Sequence, residues 1–115
     1  MLIRAYELME ELLLKIRARD DKQSELLQTC QYITERTLQV PGCKSSFLFQ
    51  DTDKGDLITL EQQWHQQSLL NDYFRSDHFT ALLGVMKWLG RSFEIKINGG
   101  THEEGMRLIQ SERMK

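Results

Sequence analysis

The sequence predicts an α+β domain built on an antiparallel sheet, and three observations lead to that prediction. Four short segments alternate apolar and polar side chains, which is the period of a strand with one buried face. Two longer segments repeat their apolar side chains every three or four residues, as amphipathic helices do. The second and third strands are separated only by the turn TDKGD, so they pair as a hairpin. The resulting order, β-α-β-β-α-β, is that of the ferredoxin-like split arrangement.

The first strand and the first helix follow each other near the start of the chain. In ELLLKIRAR, residues 11–19, one alternate set of side chains is apolar and the other is mainly basic. The polar segment after it supplies turn and capping oxygens for a helix, the last of them from Ser24. The only proline, Pro41, and the glycine after it end that helix. Its apolar positions are Leu26, Leu27, Cys30, Ile33, Thr34, Thr37 and Leu38.

The rest of the predicted core is a hairpin, a broken helix and a last strand. CKSSFLFQD at 43–51 and LITLEQQW at 57–64 form the hairpin strands. Residues 66–89 return to a helical period that is interrupted at Arg75-Ser76, where Ser76 suits the N-cap of a second helical piece. SFEIKIN at 92–98 is the fourth strand. The residues of this second helix that are expected to be packing residues are Phe79, Leu82, Leu83, Met86, Trp88 and Leu89.

The length of the chain limits it to one domain. A chain of 115 residues can bury one core but hardly two. We therefore expect a single domain over 1–115, with a core at about 10–98, an N-terminal extension at 1–9 and a C-terminal helical tail at 99–115. Apolar side chains at helical spacing predict a short helix in residues 1–10. In the tail, Thr-His-Glu-Glu at 101–104 has the spacing of a capping box and predicts a helix.

Composition argues against several classes of protein. Lys and Arg number 15 against 17 Asp and Glu, and the charges are mixed along the chain, so nucleic-acid binding has no electrostatic support. No apolar run approaches the roughly 20 residues that a membrane helix needs, so we expect no membrane span. The start, MLIRAYELMEE, has acidic residues where a signal peptide keeps its apolar segment. We expect a cytoplasmic protein.

The cysteines and histidines do not have the spacing of a disulfide framework or a metal site. Cys30 and Cys43 are too few for a disulfide framework, and we expect them to be packing residues. His65, His78 and His102 are scattered without the spacing of paired metal ligands. No G-x-G-x-x-G follows a strand, so a flavin or nicotinamide motif is absent as well. The expectation is a protein without metal or cofactor.

Several short motifs, in order, resemble one family. RARDDKQSELL, PGC, LEQQW, LLNDYF, SDHF and EIKI together are similar to the antibiotic biosynthesis monooxygenase superfamily over about residues 10–98. The resemblance implies a homodimer of ferredoxin-like subunits whose sheets face each other as an α+β barrel, with a small-molecule pocket between helices and sheet. Members of that superfamily include cofactor-independent oxygenases of quinols and anthrones, haem-degrading oxygenases and isomerases. The family resemblance alone therefore does not select one reaction.

The resemblance brings forward one catalytic candidate, His78. Quinol-oxidising relatives carry a histidine in a similar S-x-H-F step. Such an imidazole could act as a general base or hydrogen-bond donor toward a phenolic or enolic substrate. The alternative is a polar side chain that only caps or packs at the helix start.

Four further residues are candidates for substrate binding: Trp64, Tyr73, Gln62 and Arg17. Trp64 and Tyr73 could wall a pocket, or be core aromatics. Gln62 stands where relatives usually have glutamate, and an amide can orient a substrate without taking a proton. Arg17 could stabilise an enolate or bind an anion, although a solvated or salt-bridged strand face is the commoner explanation of such a cation.

Haem chemistry is disfavoured by the same comparison of motifs. In haem-degrading relatives a tryptophan lies three residues before the S-D step, and an iron-binding histidine lies seven after the serine; this chain has Tyr73 and Leu83 at those places. The sequence thus leads to a cofactor-independent monooxygenase of quinols, anthrones or another enolisable aromatic molecule. The alternative is a non-catalytic dimeric module that binds small molecules or serves in stress responses.

Overall fold

The structure is a computed structural model, and it describes residues 9–115. Over those residues the chain forms the predicted core order, with the second helix divided in two and one helix added at the C-terminal end. The elements are β1 (Glu10–Ala18), α1 (Gln23–Thr37), β2 (Cys43–Gln50), β3 (Leu57–Trp64), α2 (Gln67–Phe74), α3 (Asp77–Leu89), β4 (Gly90–Ile97) and α4 (His102–Arg113).

The sheet has four strands in the order β2-β3-β1-β4, and each neighbouring pair is antiparallel. This is the ferredoxin-like topology predicted from the sequence. The alternation of β1 decides which face is covered, because the side chains of Leu12, Leu14 and Ile16 are fully buried against the helices. Helices therefore cover one face of the sheet. On the other face Phe47 and Phe49 are 55% and 51% exposed.

Local sequence explains where the helices break. The hydroxyl of Ser76 accepts a hydrogen bond from the Phe79 N–H at 3.2 Å, which is the predicted N-cap of α3. At the end of the loop after α1, Gly42 has φ +94°, and a Cβ there would lie 2.6 Å from the Cβ of Leu69. Only glycine fits this close approach, so α2 can pack directly on the loop.

The C-terminal helix α4 begins as predicted and packs beside β4. Its N-cap is Thr101, whose hydroxyl accepts from the Glu104 N–H at 3.1 Å. The second bond of the pair differs from a capping box, because the Thr101 hydroxyl also donates to the Glu104 carboxylate at 3.2 Å. Glu112 at the other end of α4 is 5% exposed, and Arg75 at the end of α2 binds it at 2.5 Å. The cap thus sets where α4 begins, and the Arg75–Glu112 ion pair joins its C-terminal end to the end of α2.

Two expectations need comment. The short helix expected in residues 1–10 falls on residues 1–8, which lie outside the described residues, while Glu10 already belongs to β1. Trp88 of α3 was expected to be a packing residue, and this was wrong. Its side chain is 72% exposed, whereas Met86 of the same helix is 2% exposed. Residues two apart on a helix point in nearly opposite directions, so Trp88 lies outside the buried stripe that includes Met86. Within residues 9–115, no helix combines the length and apolar character needed to cross a membrane.

Candidate functional site

Three of the candidate side chains form one buried chain of contacts. The alternation of β3 points both Gln62 and Trp64 toward the helices, and α2 brings Tyr73 against them. The Trp64 indole N–H donates to the Gln62 Oε1 at 3.1 Å, and the Gln62 amide nitrogen donates to the Tyr73 hydroxyl at 3.4 Å. None of the three is more than 1% exposed, and the rings of Trp64 and Tyr73 lie 4.5 Å apart, centroid to centroid. They act as one packed unit.

The chemistry of this unit is that of a neutral hydrogen-bonding surface. Burial raises the pKa of the Tyr73 phenol to about 12, and hydrogen bonds involving Gln62 and Thr37 only partly oppose that rise. The phenol therefore keeps its proton at neutral pH. Gln62 has no titratable group, and one end of its amide is held by Trp64 while the other reaches Tyr73. The polar groups of the unit therefore bond to one another, and the unit supplies no base.

His78 lies nearby on the outer surface rather than inside the unit. It belongs to the first turn of α3, where its side chain is exposed. The N-cap of α3 is Ser76, so the His78 imidazole does not cap this helix.

A hollow of about 290 Å³ connects His78 with the buried unit. Tyr73 lies at the bottom of it and His78 at its rim, and most of the remaining wall is apolar. Pockets for small molecules usually have about 300–1,000 Å³, so this hollow is at the small end of that range. Its lining consists of Val40, Pro41, Leu69, Asp72, Tyr73, Ser76 and His78.

The structure does not bring Arg17 to this hollow. Arg17 points to the open face of the sheet, where its guanidinium binds the two carboxylate oxygens of Asp56 at 3.2 and 3.3 Å. Arg91 binds the same carboxylate at 3.0 Å. A separate hollow of about 360 Å³ lies beside Arg17, lined by Lys15, Leu57, Ser92, Phe93 and Glu94 as well. Four of the five sequence candidates thus lie on the helical side, and one lies across the sheet.

Sequence reasoning missed the apolar part of the wall. Leu69 and Val40 were not considered as site residues, yet both line the hollow with Pro41. The glycine at position 42 was the available signal, since a glycine after a proline marks a place where another element approaches the backbone closely. Which side chain approaches it could not be read from the sequence.

The cysteines near the core are protonated packing residues in this environment. Burial raises the pKa of the Cys30 thiol to about 12 and that of Cys43 to about 11. A thiol held protonated is a poor nucleophile. Among residues 9–115, no three His, Cys, Asp or Glu side chains come together in the way that would hold a metal ion.

The fold and the hollow together define a class: ferredoxin-like α+β domains with a small apolar site on the helical side of an antiparallel sheet. Comparison with known proteins makes the class specific. The sequence matches the family model described as "Antibiotic biosynthesis monooxygenase" over residues 9–83. The chain belongs to the antibiotic biosynthesis monooxygenase family, as its motifs had indicated. The match ends inside α3, so β4 and α4 lie beyond it. No curated protein matches the sequence.

Solved structures agree with the fold. A conserved protein of Methanosarcina mazei Go1 is 22% identical, with a TM-score of 0.73 over 84% of this chain and 96% of that one. A protein of Mycobacterium tuberculosis is 18% identical, with a TM-score of 0.71 over 80% and 94%. A structure named "antibiotic biosynthesis monooxygenase" is 17% identical, with a TM-score of 0.70 over 80% and 98%. At these identities the likeness establishes the fold and leaves the reaction open.

Proposed function

We propose that this protein is a cofactor-independent monooxygenase of a small enolisable aromatic molecule, such as a quinol or an anthrone, and that it works as a homodimer. The observation that carries the proposal is the shared hollow: His78 at the rim and Tyr73 at the bottom of a mainly apolar space of about 290 Å³. Membership of the antibiotic biosynthesis monooxygenase family supports the class of reaction. The cytoplasmic location expected from the sequence is part of the same proposal.

In this proposal His78 removes a proton and the substrate supplies the electrons. For an anthrone, the imidazole takes the proton of the reacting CH₂ group, which leaves an electron-rich anion. The anion passes one electron to O₂, and the resulting radical and superoxide join through a new carbon–oxygen bond. The imidazolium returns its proton to the peroxide. Cleavage of the O–O bond with loss of the second hydrogen of that carbon releases water and leaves a carbonyl group, so one oxygen atom enters the product and the other leaves as water.

The buried unit would orient the substrate in this mechanism. In the proposal the substrate packs against Tyr73 at the bottom of the hollow, and the phenol stays neutral because burial raises its pKa to about 12, so it does not compete for the proton. Trp64 lies directly behind Tyr73 and fixes its ring by stacking. Gln62 holds both in place through its amide. In this proposal Gln62 and Trp64 position Tyr73, and neither reaches the reacting atoms.

Oxygen consumption with a panel of anthrones and quinols tests the proposal. We expect turnover by the parent and a fall of about 10²-fold or more in His78→Ala, the range that a positioned general base contributes. His65→Ala is the matched control, because His65 is also exposed but lies outside the hollow. Turnover that is unchanged in His78→Ala would exclude His78 as the base.

A second function, a binding module without catalysis, is favoured by one specific observation. The residue at position 62 is an amide whose two ends already serve Trp64 and Tyr73, so this position offers no proton acceptor. Absence of turnover across the whole panel, together with saturable binding of the same compounds, would support the binding module in place of the oxygenase.

The dimer rests on the open face of the sheet. Phe47 and Phe49 are more than half exposed there, with ring centroids 6.5 Å apart, and Leu13 and Leu57 lie on the same face. Monomeric proteins rarely leave such aromatic pairs on the exposed face of a sheet. A second copy of the chain, packing sheet to sheet, would remove these rings from water.

A further inference from the structure

A second hollow lies on the other side of His78, between α1 and α3. Its volume is about 210 Å³, and among residues 9–115 His78 alone lines both this hollow and the one beside Tyr73. It is lined by Ile33 and Ala81 together with Tyr32, Arg36 and Asp77, and of these five only Ile33 is buried. Both hollows therefore include the proposed base and both are mainly apolar, and the second also carries the charged side chains of Arg36 and Asp77.

Arg36 lines this second hollow and contacts the ring of Tyr32. Its guanidinium carbon lies 5.5 Å from the centroid of the Tyr32 ring, which is within the range of a cation–π contact. Among residues 9–115, no ion pair within 4.0 Å includes Arg36 or Asp77, although Asp77 lines the same hollow. Stacking on a ring leaves the N–H edge of the guanidinium free. That edge matches a carboxylate or phosphate with two parallel hydrogen bonds.

We propose that the Arg36 hollow binds the anionic arm of the substrate, so that the substrate class is an aromatic compound carrying a carboxylate. This inference rests on the proposed function, because it assumes that the aromatic body lies in the hollow beside Tyr73. A molecule with its ring next to His78 and an acidic arm on the ring would fill both spaces at once. The Arg36 site would then determine specificity, while His78 performs the chemistry.

Asp77 should affect anion binding in the opposite direction from Arg36. Its carboxylate lines the same hollow as Arg36 and repels an anion. Removal of the Arg36 charge should weaken binding of an acid, whereas removal of the Asp77 charge should strengthen it. An apolar or purely steric role for the hollow would not give effects of opposite sign.

Binding of a matched pair of probes under anaerobic conditions separates this site from the reaction. The probes are 2,5-dihydroxyphenylacetate and its methyl ester, which share the ring and differ in the charge of the arm. By titration calorimetry we expect the parent to bind the acid about tenfold more tightly than the ester. We expect Arg36→Gln to abolish that preference without changing ester binding, and Asp77→Asn to increase it a few-fold. Arg107→Gln is the control, since Arg107 is an exposed arginine on α4 that lines neither hollow.

The outcomes distinguish this inference from the proposed function. Equal binding of acid and ester by the parent overturns the anion site, and so does a preference that Arg107→Gln removes as well, because the effect would then come from overall charge. If neither probe binds while anthrone still consumes oxygen in a His78-dependent way, the anion site fails and the oxygenase stands. If no member of the anthrone and quinol panel is turned over and neither probe binds, both fail.

Discussion

Three contacts fix the position of Tyr73, and its burial keeps the phenol protonated. Its ring stacks on Trp64 and makes an edge-to-face pair with Phe79 at 5.2 Å between centroids, and its hydroxyl accepts from the Gln62 amide. A buried phenol resists ionisation because its anion would lose solvation, and this is why its pKa rises to about 12. The same burial that shapes the floor of the hollow therefore also keeps that floor uncharged.

Tyr73→Phe tests the hydroxyl at the residue scale. At pH 7 we expect a loss of about 0.5–1 kcal/mol in the free energy of unfolding, since the Gln62 amide loses a partner. The difference should narrow as the pH rises. Burial raises the Tyr73 pKa from 10.0 to about 12, so the unfolded parent loses this proton first and the parent loses stability between those values. Urea titrations between pH 7 and pH 11 measure the trend.

Tyr32→Phe is the matched control for that experiment. Tyr32 is 60% exposed, so removal of its hydroxyl should change stability little and should not alter the pH dependence. If the free energies of unfolding of Tyr73→Phe and the parent differ by the same amount at every pH tested, a raised pKa at Tyr73 is contradicted.

At the scale of the elements, α4 covers the outer edge of β4. The His102 imidazole accepts the N–H of Ile95 through Nδ1 at 3.0 Å, so the side chain replaces a neighbouring strand. Gly105 allows the close approach, because a Cβ there would lie 3.0 Å from the Ile95 carbonyl oxygen. Further along α4, the Arg113 guanidinium donates to the Phe74 carbonyl at 2.8 Å. The helix therefore connects the edge of the sheet with the corner between α2 and α3 that precedes His78.

His102→Ala tests this edge contact. Without the imidazole acceptor, the Ile95 N–H loses its partner at a cost of about 1 kcal/mol, and its protection against hydrogen exchange should fall about fivefold. Hydrogen exchange followed by NMR at Ile95 gives the direct measurement. Glu103→Ala is the control, because Glu103 is the exposed neighbour of His102 on the same helix. Unchanged protection of Ile95 in His102→Ala would show that α4 does not hold the edge through this bond.

At the scale of the whole molecule, the sheet has one covered face and one open face. The residues of β1 that face the helices are fully buried, while Phe47 and Phe49 on the other side remain half exposed. The open face also carries Lys15 and Arg17, and the latter is neutralised by Asp56. A partner sheet would thus meet the aromatic rings of Phe47 and Phe49 on β2 and the Arg17–Asp56 ion pair toward the β4 side.

Phe47→Asp with Phe49→Asp tests the proposed dimer. A carboxylate buried in the interface at either position would be desolvated without a partner, so the double variant should sediment as a monomer at concentrations where the parent is a dimer. Sedimentation velocity distinguishes the two states. Trp88→Asp serves as the control, because Trp88 is 72% exposed on the helical side and its replacement should leave the dimer intact. A parent that sediments as a monomer would refute the proposal directly.

The sequence by itself determined the elements and their order. Alternation in ELLLKIRAR and helical spacing after Ser24 are local patterns, and each corresponds to a buried face in the structure. The Ser76 and Thr101 caps were also predictable, since a cap depends only on residues within one turn. The cap expected from the segment ending at Ser24 was wrong, because α1 begins at Gln23 and has no side-chain cap. The family was also predicted correctly, because the motifs that indicate it and their order can be read directly from the sequence.

Only the tertiary structure decided which candidates meet. Gln62 and Tyr73 are eleven residues apart, yet they are joined by a hydrogen bond, while Arg17 is separated from them by the thickness of the sheet. Trp88 and Met86 lie on one helix, and only the packing of α3 leaves the first exposed and the second buried. Contacts between elements depend on how the elements approach one another in space, and periodicity along the chain carries no information about that approach.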